Sequence, residues 1–156
     1  MSTSTTPLLP RMQNPVLVLE GALEAAQALS KAASRARVPI DLEFLSLRAS
    51  QINGCSWCVD MHAKALRKAG ESEERVYGIG AWRELPYYTD AERAALALTE
   101  AVTRMADRAD PVPDAIYDAA AAHFDEQQMA AIVLAIAAIN LWNRVNVTTR
   151  QVVSAA

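Results

Sequence analysis

The segment from Met129 to Trp142 restricts the fold of this chain more than any other feature. It spans 14 residues, carries no charge and is almost wholly apolar. A helix through it is apolar on every side, which the surface of a monomeric protein does not tolerate. It is also shorter than the roughly 20 apolar residues that cross a bilayer. We therefore predict a helix at the centre of the fold or in a subunit interface, not a membrane anchor, and we expect a homo-oligomer.

The rest of the sequence also indicates helices. Alanine and leucine are abundant, and no stretch alternates apolar and polar residues between turn residues, as strands do. Asp41, Thr89 with Glu92, and Asp125 with Gln128 have the pattern of helix N-caps. These signals predict an all-α fold of six or seven helices.

The 156 residues fit one domain, which we place over residues 1–156. We expect a continuous first helix over about residues 17–34, a last helix that ends near Arg144, and a flexible segment over residues 1–15. The start of the chain lacks the basic and apolar regions of a secretory signal, so a cytoplasmic location is expected. The formal charge of −3, from 15 basic and 18 acidic residues, gives no basic surface for nucleic acid.

Four residues in the first half of the chain form a pattern with chemical content. Cys55 and Cys58 are three residues apart and His62 follows four residues later, so one helix places all three on the same face. Asn53-Gly54 predicts a break that folds the preceding helix back as a hairpin. Glu43 then lies roughly 15 Å before the break and His62 roughly 12 Å after it, at a similar level.

This arrangement is suited to thiol redox chemistry. A cysteine attacks as its thiolate, and its pKa of about 8.5 falls beside a protonated histidine or in the first turn of a helix. His62 can accept the thiol proton, while Glu43 fixes the imidazole tautomer. Attack on a hydroperoxide leaves a sulfenic acid, which the second cysteine converts to a disulfide. Two alternatives stay open: a zinc site made by these four side chains, and ordinary surface or core residues without chemistry.

The pattern E-x11-C-x2-C-x3-H, filled by Glu43, Cys55, Cys58 and His62, resembles the alkylhydroperoxidase D (AhpD-like) group of the carboxymuconolactone decarboxylase superfamily. The similarity extends to LRASQINGCSWCVDMHAKALRKAG, to GIGAWRELPYYTDAERAALALTEAVT and to INLWNRV. The resemblance implies an AhpD-like helical fold with a central hairpin that carries the CxxC site, and trimers or hexamers. It also implies reduction of a hydroperoxide without haem, flavin or metal, and regeneration by an external dithiol such as a lipoyl group.

The resemblance further implies that Cys58 attacks and that Cys55 is the proton donor and disulfide partner. Position alone is less clear, because the helix start favours Cys55 while His62 lies one turn from Cys58. Trp57 stands where described members of the group have a histidine, and it cannot relay protons. We expect Trp57 to pack against the core. A redox-responsive interaction protein and a decarboxylase-like enzyme remain alternative functions.

Overall fold

The computed structural model describes residues 8–153, which form eight α-helices and no strand. The all-α prediction is confirmed, with more helices than the six or seven expected because short helical segments flank the long ones. The helices are α1 (Pro15–Val18), α2 (Ala22–Ser34), α3 (Leu42–Asn53), α4 (Ser56–Lys68), α5 (Glu73–Gly78), α6 (Asp90–Thr103), α7 (Asp114–Ala121) and α8 (Glu126–Thr149), and a 3₁₀ turn (Ile79–Ala81) follows α5.

The predicted N-caps begin three of these helices. Asp41 accepts a hydrogen bond from the Glu43 backbone at the start of α3. Both capping boxes are formed, by Thr89 with Glu92 at α6 and by Asp125 with Gln128 at α8. Each box satisfies backbone N–H groups that the first turn of a helix leaves without partners.

The first predicted helix is interrupted, which corrects the expectation of a continuous helix over residues 17–34. Leu19 caps the end of α1, and Gly21, at φ +76°, caps the start of α2. A glycine adopts this left-handed backbone without the steric cost that other residues incur. The chain therefore turns between the two helices.

The segment before α1 is attached to the far end of α8. The Arg11 backbone N–H donates to the Thr149 carbonyl at 2.8 Å, and the Arg11 guanidinium donates to the Thr148 carbonyl at 3.0 Å. Of the predicted flexible segment, residues 1–7 lie outside the described residues, whereas Arg11 and Asn14 are held by hydrogen bonds. Hydrogen bonds to α8 therefore hold Arg11 and Asn14 in place, although the local sequence predicts a flexible segment.

Helix α8 packs against α2, α3 and α6, and it extends past the predicted end near Arg144 to Thr149. Its inner side buries Ile132, Ile136 and Ile139, whereas leucines and valines stay exposed on its outer side. Within residues 8–153 it is also the one helix that is long and apolar enough to cross a membrane, a statement about length and composition alone. One side of α8 therefore packs in the core, and the apolar residues on its other side are exposed to solvent in the single chain.

Helices α3 and α4 form the predicted hairpin. Gly54 ends α3 at φ +71° and reverses the chain into α4. Phe44, Leu47 and Leu66 anchor the two helices in the core, and α3 also contacts α6 and α8. The hairpin therefore holds the residues near its ends at fixed positions relative to α8.

Candidate active site

The two cysteines lie buried at the start of α4 and are joined in a disulfide. Their Cα atoms are 5.4 Å apart, which is an ordinary separation for a disulfide. Cys55 is the N-cap, and its sulfur accepts the Cys58 backbone N–H at 3.3 Å. The exposed fractions are 2% for Cys55 and 1% for Cys58. The pair thus sits at the positive end of the helix, shielded from solvent.

Glu43 and His62 meet across the hairpin, as helix geometry predicts. The Glu43 Oε2 and His62 Nδ1 atoms are 2.6 Å apart. A carboxylate only accepts hydrogen bonds, so Nδ1 carries the proton and the lone pair of neutral imidazole lies on Nε2. His62 is 7% exposed, and its Nε2 has no hydrogen-bond partner among residues 8–153. Since buried nitrogens are normally paired, this atom is available as a base one helical turn from Cys58.

Asn146 of α8 contributes a group that the sequence analysis does not identify. Its Nδ2 donates to the Cys58 sulfur at 3.3 Å. Asn140, Asn143 and Asn146 recur every third residue along the apolar helix, and all three are buried. Asparagines repeated on one face of an apolar helix require polar partners, and this spacing is the signal that could have located Asn146.

The other two asparagines connect α8 to the end of α3. Asn53 Nδ2 donates to Asn140 Oδ1 at 3.0 Å and to Asn143 Oδ1 at 2.9 Å. Asn143 Nδ2 in turn donates to Ser50 Oγ at 3.0 Å. These bonds fix the register between α3 and α8, and with it the position of Asn146 beside the cysteines.

The expected core packing of Trp57 is wrong for the single chain. Trp57 is 41% exposed, because the face of α4 that carries Cys58 and His62 points inward and the position just before Cys58 lies roughly 100° away around the helix. Trp82, by contrast, is buried and donates its indole N–H to Glu100 at 3.0 Å. Trp57 thus lies partly exposed on the helix that carries Cys58.

The four residues predicted for the site are not arranged as a metal site in the disulfide form of the chain. No group of three or more histidine, cysteine, aspartate or glutamate side chains within residues 8–153 is arranged to hold a metal ion. Cys55 and Cys58 are bonded to each other and so do not present thiolate ligands here.

A buried carboxylate lies on α6, outside the cysteine site. Glu100 accepts hydrogen bonds from the side chains of Arg48 at 2.7 Å, Trp82 at 3.0 Å and Arg83 at 2.7 Å, and Arg104 lies 3.2 Å away. Burial raises the pKa of Glu100, but the hydrogen bonds from Arg83, Trp82 and Arg48 outweigh it and lower the pKa to about 2. This carboxylate is a permanent charge that joins α3, α6 and the loop after the 3₁₀ turn.

Fold and site together define an all-helical protein with a buried CxxC pair beside a Glu–His pair. The sequence profile of the carboxymuconolactone decarboxylase family matches residues 20–101. An uncharacterized protein of Bacillus subtilis, YdfG, is 43% identical over 105 residues, which cover 67% of this chain and 70% of that protein. The chain therefore belongs to the carboxymuconolactone decarboxylase family.

A solved structure and a named reductase refine this relationship. A protein of unknown function from Agrobacterium tumefaciens, for which a role as the antioxidant defence protein AhpD has been suggested, matches with a TM-score of 0.86 and 36% identity, over 95% of this chain and 100% of that chain. An alkyl hydroperoxide reductase AhpD of Solibacter usitatus is 43% identical over 56 residues, 36% of this chain and 32% of that protein. The AhpD-like fold is thereby confirmed, and the named relatives support an enzyme with an antioxidant role.

Proposed function

We propose that this chain is a thiol-dependent peroxidase that reduces organic hydroperoxides through Cys55 and Cys58. The observation that carries the proposal is the pair of ring nitrogens of His62, which lies one helical turn from Cys58. Nε2 has no hydrogen-bond partner within residues 8–153, while Glu43 holds Nδ1. The local match to an AhpD reductase supports the substrate class.

The first step oxidises the sulfur of Cys58. His62 Nε2 accepts the thiol proton, and the resulting thiolate attacks the terminal oxygen of the hydroperoxide. A bond forms between sulfur and that oxygen, the O–O bond breaks, and the alkoxide leaves with the proton from His62 as an alcohol. Cys58 is then a sulfenic acid, which is two electrons more oxidised than the thiol.

The second step closes and reopens the disulfide. The Cys55 sulfur attacks the Cys58 sulfenic acid, the S–S bond forms, and hydroxide leaves with the Cys55 proton as water. An external dithiol, such as a lipoyl group carried by a protein, reduces the disulfide by thiol exchange and is itself oxidised. Because the chain's own sulfurs carry the electrons, this cycle requires no metal, haem or flavin. Because both sulfurs are buried, the donor reaches them only when the local structure opens.

Steady-state consumption of cumene hydroperoxide with dihydrolipoamide tests this function. We expect the wild-type chain to turn over many times, and Cys58→Ser to be inactive. Cys55→Ser should form one sulfenic acid on Cys58, trapped by dimedone, and then stop. Undiminished turnover in Cys58→Ser would overturn the role of Cys58. A single oxidation without turnover by the wild type would instead favour a redox-responsive interaction protein.

We also propose that copies of the chain associate, as a trimer or hexamer, through the outer side of α8. Val133, Leu134 and Leu141 are exposed there, and Tyr117 of α7 lines a groove with the first two. Monomers rarely expose apolar patches of more than a few hundred Å². Light scattering should give a multiple of 16.9 kDa, and Leu134→Glu should lower the mass. A wild-type mass of one chain at micromolar concentration would contradict the association.

A further inference from the structure

We propose that Asn146 is a hydrogen-bond donor to the reactive sulfur of Cys58, and that Asn14 is the positioning residue that keeps this donor turned toward the sulfur. The inference deepens the proposed function and rests on it only for the kinetic consequence. Asn146 Nδ2 lies 3.3 Å from the Cys58 sulfur. Asn14 Nδ2 lies 3.0 Å from Asn146 Oδ1.

The orientation of both amides follows from one backbone group. The Val16 backbone N–H, at the start of α1, donates to Asn14 Oδ1 at 3.2 Å. A backbone N–H can only donate, so the oxygen of Asn14 faces Val16 and its Nδ2 faces Asn146. The oxygen of Asn146 accepts from that Nδ2, which leaves the Nδ2 of Asn146 directed at Cys58. A carboxamide without such partners can turn over and present oxygen instead.

The direction of this amide determines which form of Cys58 is stabilised. A thiolate accepts hydrogen bonds, and a bond to a charged acceptor is roughly twice as strong as a neutral one. The site is buried, and a low local dielectric strengthens the interaction. Asn146 in its present orientation therefore favours the thiolate, whereas a reversed amide would place its oxygen against the negative sulfur.

The other groups that face the Cys58 sulfur come from the neighbouring elements. Cys55, the N-cap of α4, is bonded to the Cys58 sulfur, His62 lies one turn after Cys58 on α4, and Glu43 reaches His62 from α3. From α8 the contact is the uncharged Asn146. The Arg11 guanidinium, on the N-terminal segment, is occupied by the Thr148 carbonyl. The amide thus adds a neutral donor to a site whose charge otherwise depends on His62 and Glu43.

The N-terminal segment is fixed firmly enough to act in this way. The Arg11 backbone N–H donates to the Thr149 carbonyl at 2.8 Å, and Gln151 Nε2 donates to the Met12 carbonyl at 3.2 Å. Thr149 at the end of α8 and Gln151 just after it therefore hold Arg11 and Met12. Asn14 reaches Asn146 across 132 residues of sequence. A segment ahead of the helical core thereby influences the cysteine site.

The pH dependence of Cys58 alkylation in a reduced Cys55→Ser background tests the proposal. Asn146→Ala removes the donor. Asn14→Asp keeps the oxygen that accepts from Val16 but replaces Nδ2 by a second acceptor, which should turn the Asn146 amide over. We expect both to move the alkylation midpoint upward by about one pH unit, equivalent to the loss of one charge-assisted hydrogen bond. Gln13→Glu, at an exposed neighbouring position, adds the same charge outside the relay and should leave the midpoint in place.

The outcomes separate this proposal from the proposed function, because alkylation requires no peroxide. An unchanged midpoint in both Asn146→Ala and Asn14→Asp would overturn the proposal, even if peroxide turnover were normal. A shift in Asn146→Ala alone, or an equal shift in Gln13→Glu, would overturn the positioning role of Asn14. If Asn146→Ala fails to fold, Asn14→Asp still decides the question, since it retains the cap of α1.

Discussion

Two glutamates on neighbouring helices, Glu43 on α3 and Glu100 on α6, have opposite surroundings. The Glu100 side chain is 7% exposed, accepts hydrogen bonds from Arg48, Trp82 and Arg83, and forms an ion pair with Arg104. Glu43 is 40% exposed and pairs with His62. A fully paired buried carboxylate stabilises one arrangement of the helices. In the Glu43–His62 pair, by contrast, the buried Nε2 of His62 has no hydrogen-bond partner in the part of the chain that the structure describes. The first region holds the fold together, and the second is equipped for proton transfer.

His62→Ala should have the largest effect and should act on chemistry. A positioned base contributes about 10²- to 10⁴-fold, so we expect peroxide consumption to fall by about 10³-fold with little change in the midpoint of thermal unfolding. His123→Ala is the matched control, because His123 is exposed and remote from the cysteines in sequence. Equal turnover in the two variants would remove His62 from the mechanism.

Glu100→Gln should have the next largest effect and should act on stability. The change leaves the largely buried Arg48 guanidinium, and the more exposed Arg83 and Arg104, without their carboxylate. The expected cost is about 3 kcal/mol. Urea unfolding measures this loss, and the turnover of the remaining folded protein should stay within about twofold of the wild type. Glu84→Gln, at an exposed position, should change stability by less than about 0.5 kcal/mol. A large loss of turnover in folded Glu100→Gln would place Glu100 in the active site instead.

A low pH should reduce the unfolding free energy of the wild type more than that of Glu100→Gln. The pKa of Glu100 is about 2 in the folded chain, against an ordinary value of 4.5. Between these values the unfolded chain binds the proton more readily, so the carboxylate stabilises the fold above pH 4.5 and loses this effect as the pH falls toward 2. We expect the unfolding free energy of the wild type to fall more steeply over this range than that of Glu100→Gln. Parallel curves would show that Glu100 is not the group responsible.

Glu43→Gln should have the smallest effect of the series. Glutamine still offers an oxygen to the Nδ1–H of His62, so it keeps the tautomer but loses the charge that stabilises the protonated ring. We expect turnover to fall by about tenfold, at the lower end of the range for residues that orient a reactive group. Since Glu43 is partly exposed, the unfolding free energy should change by less than about 1 kcal/mol. A loss as large as that of His62→Ala would make Glu43 the base itself.

The sequence predicts the parts of this molecule that depend on local geometry. The caps at Thr89 and Asp125 begin helices as expected, and the level of Glu43 opposite His62 follows from the rise per residue on each side of Gly54. Within a helical hairpin, the relative positions of two residues follow from their distances in sequence from the turn. That is why the Glu43–His62 contact could be found before the structure.

Contacts between distant segments could not be predicted in the same way. Asn146 lies 88 residues from Cys58, and Asn14 lies 132 residues from Asn146. Their meeting depends on how α8 packs against the hairpin, which no local pattern specifies. The break at Gly21 and the exposure of Trp57 have the same origin, since tertiary packing decides where the chain turns and which side of α4 faces inward.

Mass spectrometry of the reduced chain after one equivalent of cumene hydroperoxide tests the account most directly. The account predicts loss of two hydrogens and a peptide that contains Cys55 linked to Cys58, and in Cys55→Ser a single dimedone adduct on Cys58. Recovery of two free thiols after peroxide treatment, with no adduct in Cys55→Ser, would contradict it.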